Sequence, residues 1–319
     1  MLFNSTKLIL TNTMMIGVIM TICSNNWISM WMGLEMSTLS FIPLVSSMNT
    51  SESMMKYFVM QSVASTMFLF SVIYMLIGVN MLNEIYLAIS MTIKLGSAPF
   101  HMWVIMIIDK IDYFNMFTLL TILKLPPLSI MFQINSDILL TPILMSLIIS
   151  SIACLNQSSM RKIIAYSSVY NMGIMMTLTN MINLLTIYMF IYSSIMIMLI
   201  YTMKIMKINF INQMIHNEFS KWIKLNVWIN MLSMSGFPPL MGFLTKMMVI
   251  QSLINSNQMI LMVTLMLTSM LSTLFYMRLA FSSMMTLSSL KKWSMNKNKS
   301  MLFMMTTNLT LTPMLMAIF

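Results

Sequence analysis

Hydrophobic residues fall in long continuous runs from one end of the chain to the other, separated by short polar interruptions. The runs place helices near residues 7–23, 26–46, 56–78, 82–107, 115–133, 138–155, 160–178, 181–207, 225–253, 257–280 and 301–318. Each run of roughly 17 to 25 residues is long enough, at ~1.5 Å per residue, to cross a hydrocarbon core of ~30 Å. The apolar positions are contiguous and do not alternate with period two, so the pattern fits membrane helices and not barrel strands. The expected fold is therefore all-α: one polytopic transmembrane domain over 1–319 with about eleven helices and no soluble domain. Two longer connections, about 208–224 and 281–300, carry polar, Lys-rich sequence such as KKWSMNKNK.

The few charges sharpen that picture. If the helices alternate in direction, 14 of the 17 basic residues fall at one face: Lys7, Lys56, Lys110, Arg161, Lys162, Lys204, Lys207, Lys221, Lys224, Arg278, Lys291, Lys292, Lys297 and Lys299. The opposite face shows only Glu84 and Asp137. Such asymmetry places the N-terminus on the positive-inside face and the C-terminus across the membrane. Trp27, Trp31, Trp103, Trp222, Trp228 and Trp293 lie near predicted helix ends, as interfacial anchors do. Composition agrees: 8% of residues are charged, 59% are hydrophobic, and mean hydropathy is +0.86. A net charge of +10 spread over separate helix ends reflects topology and excludes a nucleic-acid interface.

Four ionisable residues remain inside apolar runs: Glu35, Lys94, Lys124 and Lys246. An ionised side chain near the bilayer centre costs at least ~2.5 kcal/mol on insertion scales, so it faces a bundle interior, a partner or water. Three lysines and one glutamate cannot pair completely, so water or proton loss must accommodate the rest. The bland alternative is a static ion pair holding two helices together. Two helices also carry breakers beside a lysine: KLGSAPFHMW has Gly96 and Pro99 after Lys94, and SGFPPLMGFLTK has Gly236, Pro238, Pro239 and Gly242 before Lys246. Proline removes a backbone donor and clashes with the preceding turn, so both helices are expected to be interrupted at depth, next to a hydrated cavity. Taking repeat one as about 7–133 and repeat two as about 138–280, each break falls in the fourth helix of its unit. Five helices per unit give the two units opposite orientations, the inverted-repeat arrangement of secondary transporters, with 301–318 as a further helix. His101 follows the first break as a second relay candidate or a hydrogen-bonded structural residue. His216 is expected to be solvated, and Lys124, just before Pro126 and Pro127, sits at an expected kink.

Other chemistry is not signalled. Cys23 and Cys154 stand singly with no ligand spacing, so they read as packing residues, with no metal site. The start, MLFNSTKLIL, carries no presequence pattern, so the first run is expected to be a mature helix. The 49 methionines, alongside abundant Ile, Asn and Ser, fit an AT-rich animal mitochondrial genome whose code reads ATA as Met.

WMGLEMSTLSFIPL, SESMMKYFVMQSVAS, KLGSAPFHMW, LNQSSMRKIIAYSSVYNMG and LSMSGFPPLMGFLTK together make the chain resemble the mitochondrially encoded chain 2 family of NADH:ubiquinone oxidoreductase, respiratory complex I. The similarity runs over nearly the whole chain, and this family is related to subunits of sodium/proton antiporters. The resemblance implies that Glu35 and Lys94 form an input-side pair, that Lys124 is a central relay, and that Lys246 is the outlet-side lysine. It also implies a mitochondrial inner-membrane location with the N-terminus in the matrix and the C-terminus in the intermembrane space. Expected partners are other membrane-arm and accessory subunits, lipids, protons and internal water. Flavin, iron-sulfur clusters and ubiquinone would reside in or with other subunits, and no cofactor in this chain. The chain departs from the family at Asn171, where members often have His, and at Thr245, where they often have Pro. Asn171 can hydrogen-bond water without titrating, which leaves a water-mediated step there. The competing readings are a sodium/proton antiporter-type subunit and a non-conducting membrane scaffold.

Overall fold

The structure is a computed structural model that describes residues 5–46, 50–78, 81–134, 136–216, 221–284, 306–308 and 310. Among these residues the regular structure is helical, and the one β contact is an isolated bridge between Ser159 and Phe210. The helices are α1 Ser5–Cys23, α2 Trp27–Val45, α3 Ser51–Ile77, α4 Met81–Leu95, α5 Met102–Ile108, α6 Tyr113–Leu120 and α7 Leu125–Met131. There follow α8 Ser136–Leu155, α9 Met160–Thr177, α10 Ile182–Met206, α11 Ile211–His216, α12 Lys221–Ser235, α13 Met241–Asn255 and α14 Met259–Met284. Among the described residues, seven stretches are long and apolar enough to cross a membrane: α1, α2, α3, Tyr113–Met131, Ile138–Leu155, α10 and α14.

Three expected helices are present in pieces. The run 82–107 divides into α4 and α5, and 225–253 divides into α12 and α13. The run 115–133 divides into α6 and α7 around a 3-10 turn at Ile122–Lys124. Two boundaries shift because polar first turns look like loops in sequence. Helix α3 begins at Ser51, with Glu52 favourable at a helix N-terminus, and α12 begins at Lys221. The loop expected over 208–224 holds the short helix α11. Of the run 301–318, only 306–308 and 310 are described, and they are helical. Lys291, Lys292, Trp293, Lys297 and Lys299 lie outside the described residues, as do the side chains of Asp137, His216, Lys221 and Trp222.

Close packing divides the chain into two compact units, one of Met1–Ser146 with Ser168–Ile182 and the other of Leu147–Ser167 with Asn183–Phe319. In the first unit, α1 packs on α2, and α3 packs on both α2 and α4. The α1 and α2 backbones cross at two glycines: a Cβ on Gly17 would lie 2.9 Å from the Gly33 carbonyl, and one on Gly33 would lie 2.6 Å from Thr21 Cγ2. Membrane helices lack a hydrophobic drive to associate, so small residues that bring backbones together supply the contact. In the second unit, α12 packs on α14 and α13, and α14 contributes the stripe Leu261, Leu265, Thr268, Ser272, Phe275 and Leu279. That spacing follows the helical period. The outward faces of α1, α3 and α14 expose Ile, Leu, Met and Phe, as a lipid solvent permits.

Three sequence expectations need correction. Trp103 is buried, with its indole Nε1 donating to the Ile93 carbonyl at 3.0 Å, so it is a core residue and not an interfacial anchor. Cys154 is buried, but Cys23 is exposed at the end of α1 and is no core residue of the described chain. Lys224, read as part of the connection over about 208–224, instead lies on α12, which starts one turn earlier than expected, and is only 4% exposed.

Candidate functional site

Both interrupted helices end in the same local structure. Helix α4 stops at Leu95, where Gly96 adopts φ +66° and its N–H reaches the Ile93 carbonyl at 3.1 Å, while the Ser97 N–H reaches Thr92 at 3.2 Å. Helix α12 stops at Ser235, where Gly236 adopts φ +81°, with its N–H on Ser233 and the Phe237 N–H on Leu232, both at 3.2 Å. Each is a glycine-terminated Schellman cap, which satisfies two of the carbonyls that a helix end leaves orphaned. Glycine is required there because a left-handed backbone costs an L-residue about 1–2 kcal/mol. A proline follows each glycine at the same spacing, Pro99 and Pro239, and helix resumes at Met102 and Met241. The breaks therefore begin at the glycines, and Pro99, Pro238 and Pro239 occupy the non-helical links.

In the first unit the break positions Lys94 in the last turn of α4, where it is 5% exposed. Its Nζ has no protein hydrogen-bond partner among the described residues. A small cleft of about 20 Å³, room on the order of one water, lies against it and is lined by Ser37, Thr38, Tyr57, Gln61, Lys94 and Lys124, among others. Lys124 is 3% exposed at the end of the 3-10 turn, just before Pro126 and Pro127, which occupy the first turn of α7 where missing N–H groups cost least. Ser37 donates to the Leu34 carbonyl at 2.8 Å and Thr38 to Glu35 at 3.1 Å. With their protons committed to their own helix, these hydroxyls offer lone pairs, a lining suited to ammonium groups and water. Tyr57 stacks edge-on with Phe41 at 5.3 Å and tilted with Trp103 at 5.7 Å, which makes one wall aromatic. Glu35 is half-buried on α2, within electrostatic reach of Lys94 and Tyr57, and makes no direct ion pair with Lys94. His101 is buried at the start of α5, its Nδ1 3.3 Å from the Pro99 carbonyl.

In the second unit the break is occupied by its own lysine. Lys246, 9% exposed on α13, reaches back and donates to the Ser235 carbonyl at 2.5 Å and the Ser272 hydroxyl at 3.3 Å. The positive charge thus meets the negative end of the α12 dipole. Two glycines make room: a Cβ on Gly236 would lie 2.8 Å from Lys246 Cδ, and one on Gly242 would lie 1.7 Å from the Ser233 carbonyl. Helix α13 runs unbroken through Thr245, whose hydroxyl bonds back to Gly242 at 2.8 Å, so Thr in place of Pro leaves the lysine on a regular helix. Asn171 lies half-buried on α9.

The second unit also buries polar groups that sequence reasoning missed. Asn308 Nδ2 donates to Asn230 at 2.6 Å, and Asn230 Nδ2 donates to Asn226 at 3.3 Å. Lys224 lies on the same helix. The signal available for these was weak, since single Asn and Ser residues punctuate nearly every helix of this chain. Exposed charges sit apart from the buried ones: Glu52 bridges Lys56 at 2.6 Å and Lys110 at 3.0 Å. Among the described residues no cluster of three His, Cys, Asp or Glu is placed to hold a metal ion.

Comparisons with known proteins place this geometry. Residues 24–272 match the NADH:quinone oxidoreductase/Mrp antiporter transmembrane family. The NADH-ubiquinone oxidoreductase chain 2 of Locusta migratoria is 36% identical over 312 residues, covering 93% of this chain and 91% of that one. That of Anopheles gambiae is 32% identical over 296 residues, covering 88% and 87%. In fold, a chain of respiratory complex I from Thermus thermophilus superposes with a TM-score of 0.80 at 19% identity, covering 88% of this chain and 71% of that one. With broken helices at two glycine caps, buried lysines beside each, and relatives matched over nearly their whole length, the chain belongs to the NADH-ubiquinone oxidoreductase chain 2 family, the antiporter-like membrane-arm subunits of respiratory complex I.

Proposed function

We propose that this chain relays protons through its buried lysines as part of a proton-pumping NADH:ubiquinone oxidoreductase. The observation that carries the reading is Lys94: a buried ammonium with no protein hydrogen-bond partner among the described residues, beside a cleft that Lys124 also lines. A charge so placed is tolerated only where water or proton loss accommodates it. The cleft's acceptor-rich lining suits water, and two lysines on one cleft can exchange a proton through it. Glu35, within electrostatic reach of Lys94, changes the cost of charge on Lys94 as its own protonation changes, and so serves as the input group of the first unit. Lys246 is the proton-carrying group of the second unit, and His101 is an auxiliary relay at the first break. The sequence divides into two inverted repeats of about 7–133 and 138–280, each with its break in the fourth predicted helix.

The subunit resides in the mitochondrial inner membrane among other membrane-arm subunits, with its N-terminus in the matrix and its C-terminus in the intermembrane space. Electron transfer belongs to flavin, iron-sulfur centres and ubiquinone in partner subunits, and this chain contributes no redox group. The test is proton translocation per NADH oxidised by reconstituted complex carrying Glu35→Gln or Lys94→Met, with and without sodium. Relay by these residues requires a lower ratio, independent of sodium, with intact assembly. A ratio unchanged in both variants means a scaffold, and a ratio that follows sodium means a cation carrier.

A further inference from the structure

The geometry points to Ser272 as the positioning residue for Lys246, holding its ammonium against the end of the broken helix; this rests on Lys246 carrying a proton. Ser235 is the last residue of α12, so its carbonyl is one of the groups that the helix cannot satisfy internally. Lys246 Nζ donates to it and also to Ser272 Oγ, which arrives from α14. Ser272 is 2% exposed and spends its own proton on the Ser269 carbonyl at 2.8 Å, so toward the lysine its oxygen can only accept. A backbone carbonyl and a committed hydroxyl make a cradle of acceptors.

Such a cradle discriminates between the two forms of the lysine. Hydrogen bonds from an ionised donor are roughly twice as strong as neutral ones, so the cradle grips the ammonium and loosens on the amine. Gly236 leaves the stem of Lys246 room to lie across the break, since any Cβ there would press on its Cδ, Cε and Nζ at 2.8, 2.9 and 3.1 Å. The hydroxyl fixes where the charged end rests, while the carbonyl ties it to α12. Ser272 therefore sets the position from which Lys246 takes and gives its proton, and it does not itself exchange one.

The experiment measures protons translocated per NADH by reconstituted complex carrying Ser272→Ala, Ser272→Val, Ser272→Thr, Lys246→Met and the Ser272→Ala/Lys246→Met pair. NADH oxidation by uncoupled complex serves as the readout of assembly. Removing the hydroxyl is expected to lower the ratio in both Ala and Val variants, by no more than Lys246→Met lowers it. Thr, which matches Val in shape and keeps the hydroxyl, is expected to retain the wild-type ratio. The paired variant is expected to lose no more than Lys246→Met alone, because both changes act through one group. Should Ser272→Val fail to assemble, the smaller Ala side chain against Thr gives the same comparison. A wild-type ratio in Ser272→Ala while Lys246→Met lowers it overturns the role of Ser272, as does Thr failing alongside Val. A wild-type ratio in Lys246→Met overturns the proton-carrying role of Lys246 and this inference with it.

Discussion

The two glycine caps are nearly the same in backbone and opposite in what their lysines do. At the first, Lys94 precedes the glycine, stays on its own helix and faces a cleft, while Trp103 takes the Ile93 carbonyl. At the second, Lys246 follows the glycine on the next helix and itself takes the Ser235 carbonyl. An orphan carbonyl in a membrane bundle must find a donor. At the first break the Ile93 carbonyl already accepts from the Gly96 N–H and takes the indole as a second donor, so the nearby ammonium stays outside the cap and faces the cleft. At the second, the ammonium on the Ser235 carbonyl makes the lysine part of the helix end. One structural device thus leaves the lysine facing a cleft in one unit and latched to a helix end in the other.

The comparison breaks most severely at the lysines. Lys94→Met is expected to reduce proton transfer through the subunit by about 10²-fold or more, the scale of losing a general acid-base group, with NADH oxidation retained in uncoupled complex. Gly242→Ala should come next: its Cβ would meet the Ser233 carbonyl at 1.7 Å, and overpacking costs about 3 kcal/mol at the upper end of its usual range, visible as lost assembly or a lower melting temperature. Gly96→Ala and Gly236→Ala sharpen the contrast. Both should lose about 1–2 kcal/mol of stability from the left-handed backbone, but only Gly236→Ala pushes directly on a lysine and should also lower the proton ratio of the complex that does assemble. Trp103→Phe removes the indole donor from the Ile93 carbonyl, which keeps the Gly96 N–H, and should cost about 1 kcal/mol in thermal stability. Glu52→Gln removes two exposed ion pairs and should leave stability and pumping indistinguishable from wild type.

Much of this was written in the linear sequence, for identifiable reasons. A lysine within an apolar run of membrane length is conspicuous, because hydrocarbon makes charge expensive, so Lys94, Lys124 and Lys246 announce themselves. The breaks were equally visible, since Gly and Pro are scarce here and cluster beside two of those lysines. The cap glycine as the point of breakage was less visible, because proline's effect on a helix is the stronger rule in isolation. Lys224 was misplaced because a polar segment next to an apolar run reads as a loop until packing shows where the helix begins. Ser272 was beyond reach: α14 also carries Thr264, Thr268, Ser269 and Thr273, and only its packing against α12 and α13 selects the one that faces Lys246. The burial of Trp103 likewise follows from a cap ten residues away in sequence.

Whether the first-unit lysines form one path is settled most directly by a double-variant cycle. Proton translocation per NADH is measured for Lys94→Met, Lys124→Met and the two together in reconstituted complex. Carriage in series through the shared cleft requires each single change to block the path and the pair to lose no more than the worse single. Losses that multiply, or a pair that pumps like wild type, would contradict it.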